Sequence, residues 1–155
     1  GKGDVARDLW RALVAHPPAE TAAHYALVHY ALMENDLATA EAHLTPVVAA
    51  LHQDPYQWAK LLWLRARLGK AENLDRDFAI CLARAYSRTP ILLLRAKSYA
   101  ALGMVNRAIA DLQLLQGQGH LYREMIENDQ DLRTLGDDPR VATLLPKLPT
   151  FAEQK

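Results

Sequence analysis

Pro90-Ile-Leu-Leu-Leu-Arg-Ala-Lys-Ser-Tyr-Ala-Ala-Leu-Gly-Met-Val-Asn-Arg-Ala-Ile-Ala-Asp-Leu-Gln-Leu-Leu115 is the stretch whose reading decides the fold. Its apolar residues recur at the helical period, and Gly103 interrupts them near the middle. The spacing predicts two short amphipathic helices joined at Gly103. Ala96 and Ala108 are small, one on each side of the turn, with Tyr99 and Leu112 larger beside them. Small residues let two helix backbones approach, and larger neighbours fill the space around the contact. The whole chain then reads as all-α.

The landmarks Ala96, Tyr99, Gly103 and Ala108, with Leu112 four further on, resemble the tetratricopeptide repeat (TPR) pattern W-x2-L-G-x2-Y…A-x3-F…P. The resemblance implies a right-handed TPR-like superhelix of antiparallel helix pairs, closed by a short helical C-terminal cap. It divides residues 1–149 into a half repeat at 4–18, repeat units at 19–54, 55–89 and 90–116, and a capping segment at 117–149. Residues 150–155 are expected to be a frayed tail. Ala6-x3-Trp10 followed by Leu13 and Pro18 matches the second half of a unit, so the chain is expected to begin in mid-repeat, as an excised domain or processed product. The absence of Met before Gly1-Lys2-Gly3 agrees with that expectation.

The other units are read from local signals. Residues 4–16 predict a helix with Val5, Leu9, Trp10, Leu13 and Val14 on one apolar stripe, ended by Pro17-Pro18. In 19–51, His24-x2-Leu27-Val28-x2-Ala31 occupies the first helix and Ala40-x3-Leu44 the second. Asn35 stands at the turn where glycine is usual, and Asn accepts a left-handed backbone better than most residues. Pro46 is expected to kink or delay the second helix. Asp54-Pro55 predicts a cap and first-turn proline for the next helix. A helix over about 75–87 should bury Phe78, Ile80, Cys81, Leu82 and Ala85. Thr89-Pro90 restarts the pattern with a first helix expected to be shorter than the consensus. Gln116-Gly117-Gln118-Gly119 breaks the chain. Helices are then expected at about 121–128, 130–135 (capped by Asn128 or Asp129) and from Pro139 to Leu145 (capped by Asp138, stopped by Pro146). The string from Asn128 to Arg140 resembles the segment that closes many bacterial TPR arrays. Leu132, Leu135, Val141, Leu144 and Leu145 would cover the last open apolar face, as solenoid caps must.

At 155 residues, half apolar and 23% charged, the chain suits a single domain of a soluble protein, cytoplasmic or periplasmic. No apolar run approaches the ~18 residues that span a bilayer. The net charge is zero, yet residues 1–59 hold 3 Lys/Arg against 7 Asp/Glu, residues 60–107 hold 10 against 3, and residues 108–155 hold 5 against 8. A basic middle between acidic ends can select an acidic partner. It lacks the interleaved aromatics and recognisable motif of a nucleic-acid binder, so no nucleic acid is expected.

No catalytic constellation emerges. His24 and His29 are five apart, not the three or four that place two ligands on one helical face, and His16, His43, His52 and His120 are scattered. Neither metal nor other cofactor is expected. Gly117-x-Gly119 lacks the further glycines or the Lys-Ser/Thr of a phosphate loop. Cys81 lies in an apolar run and reads as a buried structural thiol. The resemblance instead implies a non-catalytic protein–protein interaction scaffold. In TPR arrays the first helix of each unit lines a concave, peptide-binding groove. On this pattern Tyr25, His29 and Met33 would line it from one unit, Trp63 and Arg67 from the next, and Lys97 from the third. The expected partner is a protein or peptide, with acidic character suiting Arg67 and Lys97. A terminal-carboxylate clamp would have only those two cations, with no Asn placed to complete it. The alternative is the scaffold region of a larger enzyme, a peptidase or kinase, whose catalytic domain lies outside this chain.

Overall fold

A computed structural model describes residues 2–17 and 19–145. Among them the chain forms nine α-helices, one 3-10 turn and no strand. Contacts divide it into two compact units, 1–91 and 92–155, with the division falling inside a helix after Ile91.

The first unit holds α1 (Lys2–Leu13), α2 (Glu20–Met33), α3 (Leu37–Ala50), α4 (Pro55–Arg67) and α5 (Leu74–Arg84), each packed on the next along the chain. Ala23, Leu27, Val28 and Ala31 of α2 are buried, as are Ala40, Leu44, Val47 and Val48 of α3. Leu44, Leu62, Leu64 and Phe78 are among the largest fully buried side chains, each worth roughly 1.5–3 kcal/mol of burial. The turn between α2 and α3 uses Asn35 at φ 56°, and Asp36 caps α3 by accepting from the Thr39 amide at 3.1 Å. Asp54 caps α4 as expected, accepting from the Tyr56 and Gln57 amides at 3.1 and 3.0 Å ahead of Pro55.

Several expectations are corrected. Val5 and Leu9 share the α1 stripe but are exposed, since α1 has α2 as its packing neighbour and only part of the stripe meets it. Pro46 sits inside α3, which runs unbroken through it. Helix α5 stops at Arg84, and Ala85 turns to an extended backbone at ψ 137°. Ile80 lies on its exposed side, a quarter-turn and more from Phe78, Cys81 and Leu82.

The second unit begins within α6 (Thr89–Ala101), which has 13 residues like α7 (Val105–Gly117) and is therefore not short. The turn between them passes through Gly103 at φ +70°, where a side chain would be strained. Ala96 and Ala108 are both fully buried. Helix α7 runs through Gln116-Gly117, and the chain breaks only at Gly119, φ +72°. The remaining elements are α8 (Arg123–Glu127), the 3-10 turn Leu132–Leu135 and α9 (Pro139–Leu144). The expected helix over 130–135 is thus a single 3-10 turn, with the Asp129 carboxylate accepting from the Asp131 and Leu132 amides. Leu132, Leu135, Val141 and Leu145 are buried, while Leu144 is half-buried; α9 packs on α7. Asp138 caps α9 through the Arg140 amide, and Arg140 bridges to Asn106 on α7 at 2.9 Å. Pro146 and the tail 150–155 lie outside the described residues. Among the described residues no helix is long and apolar enough to cross a membrane.

Candidate binding face

Helix α2 carries Tyr25, His29 and Met33 at four-residue spacing, all on one stripe and all exposed. Tyr25 is 45% and Met33 72% accessible. The apolar content of α2 is high on both sides, which is why periodicity alone cannot say which stripe is buried. Ala23, Leu27, Val28 and Ala31 are the buried ones, on a helix packed against both α1 and α3, and the Tyr25 stripe is left to solvent.

Helix α4 borders this stripe. Lys60 places its Nζ 5.7 Å from the centre of the Tyr25 ring, a cation–π distance. No carboxylate lies within ion-pair range of Lys60 among the described residues. Seven residues on, the Arg67 guanidinium donates to Asn35 Oδ1 at 3.3 Å and lies 5.6 Å over the Trp63 ring. Two cations therefore rest on aromatic rings along one side of α4, two helical turns apart. The other side of α4 is neutralised: Arg65 pairs with Glu41 of α3 at 3.1 Å, and Lys70 with the same carboxylate at 2.5 Å. Burial would raise the Glu41 pKa, but the hydrogen bonds from Lys70 and Arg65 outweigh it and hold the carboxyl below its usual range. The cleft over these groups, about 370 Å³, sets Glu41, Glu72 and Asp77 against Arg65 and Lys70, so it offers no excess of positive charge.

The six expected groove residues do not fare alike. Tyr25, His29 and Met33 share an exposed stripe, and Arg67 lies beside it. Trp63 is only 9% exposed; it forms a floor under Arg67, not a projecting anchor. Lys97 belongs to the second unit, where its Nζ sits 2.7 Å from Asp129, the same carboxylate that caps the 3-10 turn. It holds the closing segment to α6. Folding of the α2–α3 turn also brings Asn35 beside Arg67, a neighbour that sequence spacing does not show. Lys60 was missed, although its place seven residues before Arg67 puts it on the same face.

Two further features bear on chemistry. His24 and His43, on α2 and α3, approach at 2.9 Å between their Nδ1 atoms, so one ring donates and the other accepts. Burial, then the neighbouring His24 and Arg11, lowers the His43 pKa. Cys81 is fully buried, and burial with nearby Asp77 pushes its thiol to about 12. Among the described residues no group of three or more His, Cys, Asp and Glu side chains could hold a metal ion. No protein-family model matches the chain, and neither the curated proteins nor the solved structures contain a match to it.

Proposed function

We propose that the chain is a non-catalytic protein-interaction module with a TPR-like, right-handed arrangement of helix pairs, and that the face shared by α2 and α4 binds an acidic peptide segment. The observation that carries this reading is the pairing of Tyr25, His29 and Met33, exposed in a row, with Lys60 and Arg67 resting on aromatic rings. Aromatic groups and cations side by side supply apolar contact and charge attraction together, the composition of binding hot spots.

The test is a titration of a fluorescent acidic peptide at low and high salt against the wild-type protein, Lys60→Glu with Arg67→Glu, and Arg123→Glu with Arg133→Glu as a control elsewhere. Lys60 and Arg67 are half-buried, and a charge pair near the surface contributes about 0–1 kcal/mol, so the first double reversal should weaken binding roughly tenfold at low salt and much less at high salt. Equal losses in both double variants, or no salt dependence, would refute the reading.

A further inference from the structure

The α4 stripe that carries Arg67, Trp63 and Lys60 continues to Tyr56 at its first turn, following the helical spacing of four, three and four residues. Tyr56 does not end there. Its hydroxyl accepts a hydrogen bond from the Ser87 backbone N–H at 2.8 Å, which pins the segment after α5 to the head of the stripe. In that segment Tyr86 is fully exposed, at 102%, and Arg88 is exposed and meets no carboxylate among the described residues. Arg84, the other cation nearby, is engaged with the His52 carbonyl at 3.1 Å.

The charges along this path are one-sided. There is no Asp or Glu from Pro55 to Ala71, nor from Phe78 to Ile91. The carboxylate at the head of α4, Asp54, is committed to the amides of Tyr56 and Gln57.

We propose that residues 85–88 form a second anchor of the α2–α4 binding face, so that one acidic peptide segment runs from Arg67 past Lys60 to Tyr86 and Arg88. The inference rests on the function proposed above and adds the length and the far end of the site. Tyr56 to Arg67 spans about 16 Å at about 1.5 Å per helical residue. An extended chain advances about 3.3 Å per residue, so about five residues cover the stripe and two or three more reach the Tyr86 loop. A ligand of about eight residues fills the track; one of four does not. Tyr86 is the kind of rigid aromatic that becomes a hot spot when a partner covers it, and Arg88 supplies the matching charge. Met33 stands exposed in the same row as Tyr25, and an exposed aliphatic side chain beside the cations suits the apolar side chains of a peptide, whereas single-stranded nucleic acid calls for stacking rings.

The experiment measures fluorescence anisotropy with two labelled peptides of alternating Glu and Leu, one of eight residues and one of four. The wild-type protein should bind the octapeptide at least tenfold tighter than the tetrapeptide. Tyr86→Ala with Arg88→Glu should weaken the octapeptide at least fivefold and leave the tetrapeptide unchanged. Both positions are exposed, and circular dichroism should show the variant folded as the wild type is. Lys60→Glu with Arg67→Glu should weaken both peptides. Octapeptide binding that is untouched by the loop variant would overturn the second anchor while leaving the α2–α4 face standing. Loss confined to the loop variant would overturn the face and the continuous track together, as would a wild-type protein that binds neither peptide. Tighter binding of an eight-nucleotide single strand, with the same sensitivity to both variants, would overturn the peptide assignment.

Discussion

Asp111→Ala is the sharpest perturbation available in the second unit. The Asp111 side chain is 3% exposed and accepts from Arg95 in a fork, Nε to Oδ2 at 2.8 Å and Nη2 to Oδ1 at 2.6 Å. The pair joins α6 to α7, and Arg95 also lies 5.9 Å over the Tyr99 ring, which Arg107 approaches at 5.6 Å. Removing one partner of a buried pair typically costs about 3–5 kcal/mol, because the other charge stays desolvated. Arg95 is 20% exposed and can recover some hydration, which places the expected loss near the lower end, at about 3 kcal/mol. Urea titration followed by circular dichroism should show the midpoint fall by roughly 1–3 M, given slopes of about 1–3 kcal/mol per M. Arg95→Ala should cost a similar amount, and the double alanine variant clearly less than the sum. Arg95→Met with Asp111→Leu should recover most of the loss, since an apolar pair removes both desolvation costs. A loss below about 1 kcal/mol for Asp111→Ala, or strict additivity in the double variant, would refute the reasoning.

The His24–His43 contact holds the His43 ring partly out of water, so a proton on His43 costs desolvation and sets a cation beside His24 and Arg11 of α1. Because the folded-state pKa of His43 is lowered, this contribution is present above the ordinary histidine value of about 6.5 and is lost as pH falls through the folded value. Thermal melts from pH 8 to pH 5 should fall more steeply for the wild type than for His43→Gln; parallel curves would remove the pair from the account. Ala108→Leu should overpack the α6–α7 contact, where Ala108 is fully buried, and cost about 1–3 kcal/mol by chemical denaturation. Cys81 should resist a thiol reagent at pH 8, because it is buried and its thiol titrates near 12, and should react once denaturant unfolds the chain. Rapid labelling of the native protein would contradict its burial.

Read alone, the sequence determined the all-helical class, most helix starts and stops, and the burial of Ala96 and Ala108. These rest on interactions within about four residues: Asn35 and Gly103 taking the left-handed turns, Asp54 and Asp138 capping ahead of prolines, and apolar residues at the helical period. Helix-local chemistry is written in consecutive residues, so it is legible there. What lies opposite a helix is not. The stripe of Val5 and Leu9 is as apolar as that of Leu27 and Ala31, yet only Leu27 and Ala31 are buried. Trp63 and Tyr25 carry equal promise as aromatic anchors, and only packing sends one into the core and leaves the other at the surface. The partners that make up the proposed binding face are likewise remote in the chain: Lys60 to Tyr25, Arg67 to Asn35, Ser87 to Tyr56. So is Lys97, whose charge is taken by Asp129. A helical period specifies which side chains share a face, but the energy of a buried ring or a paired charge depends on what the tertiary structure sets against it.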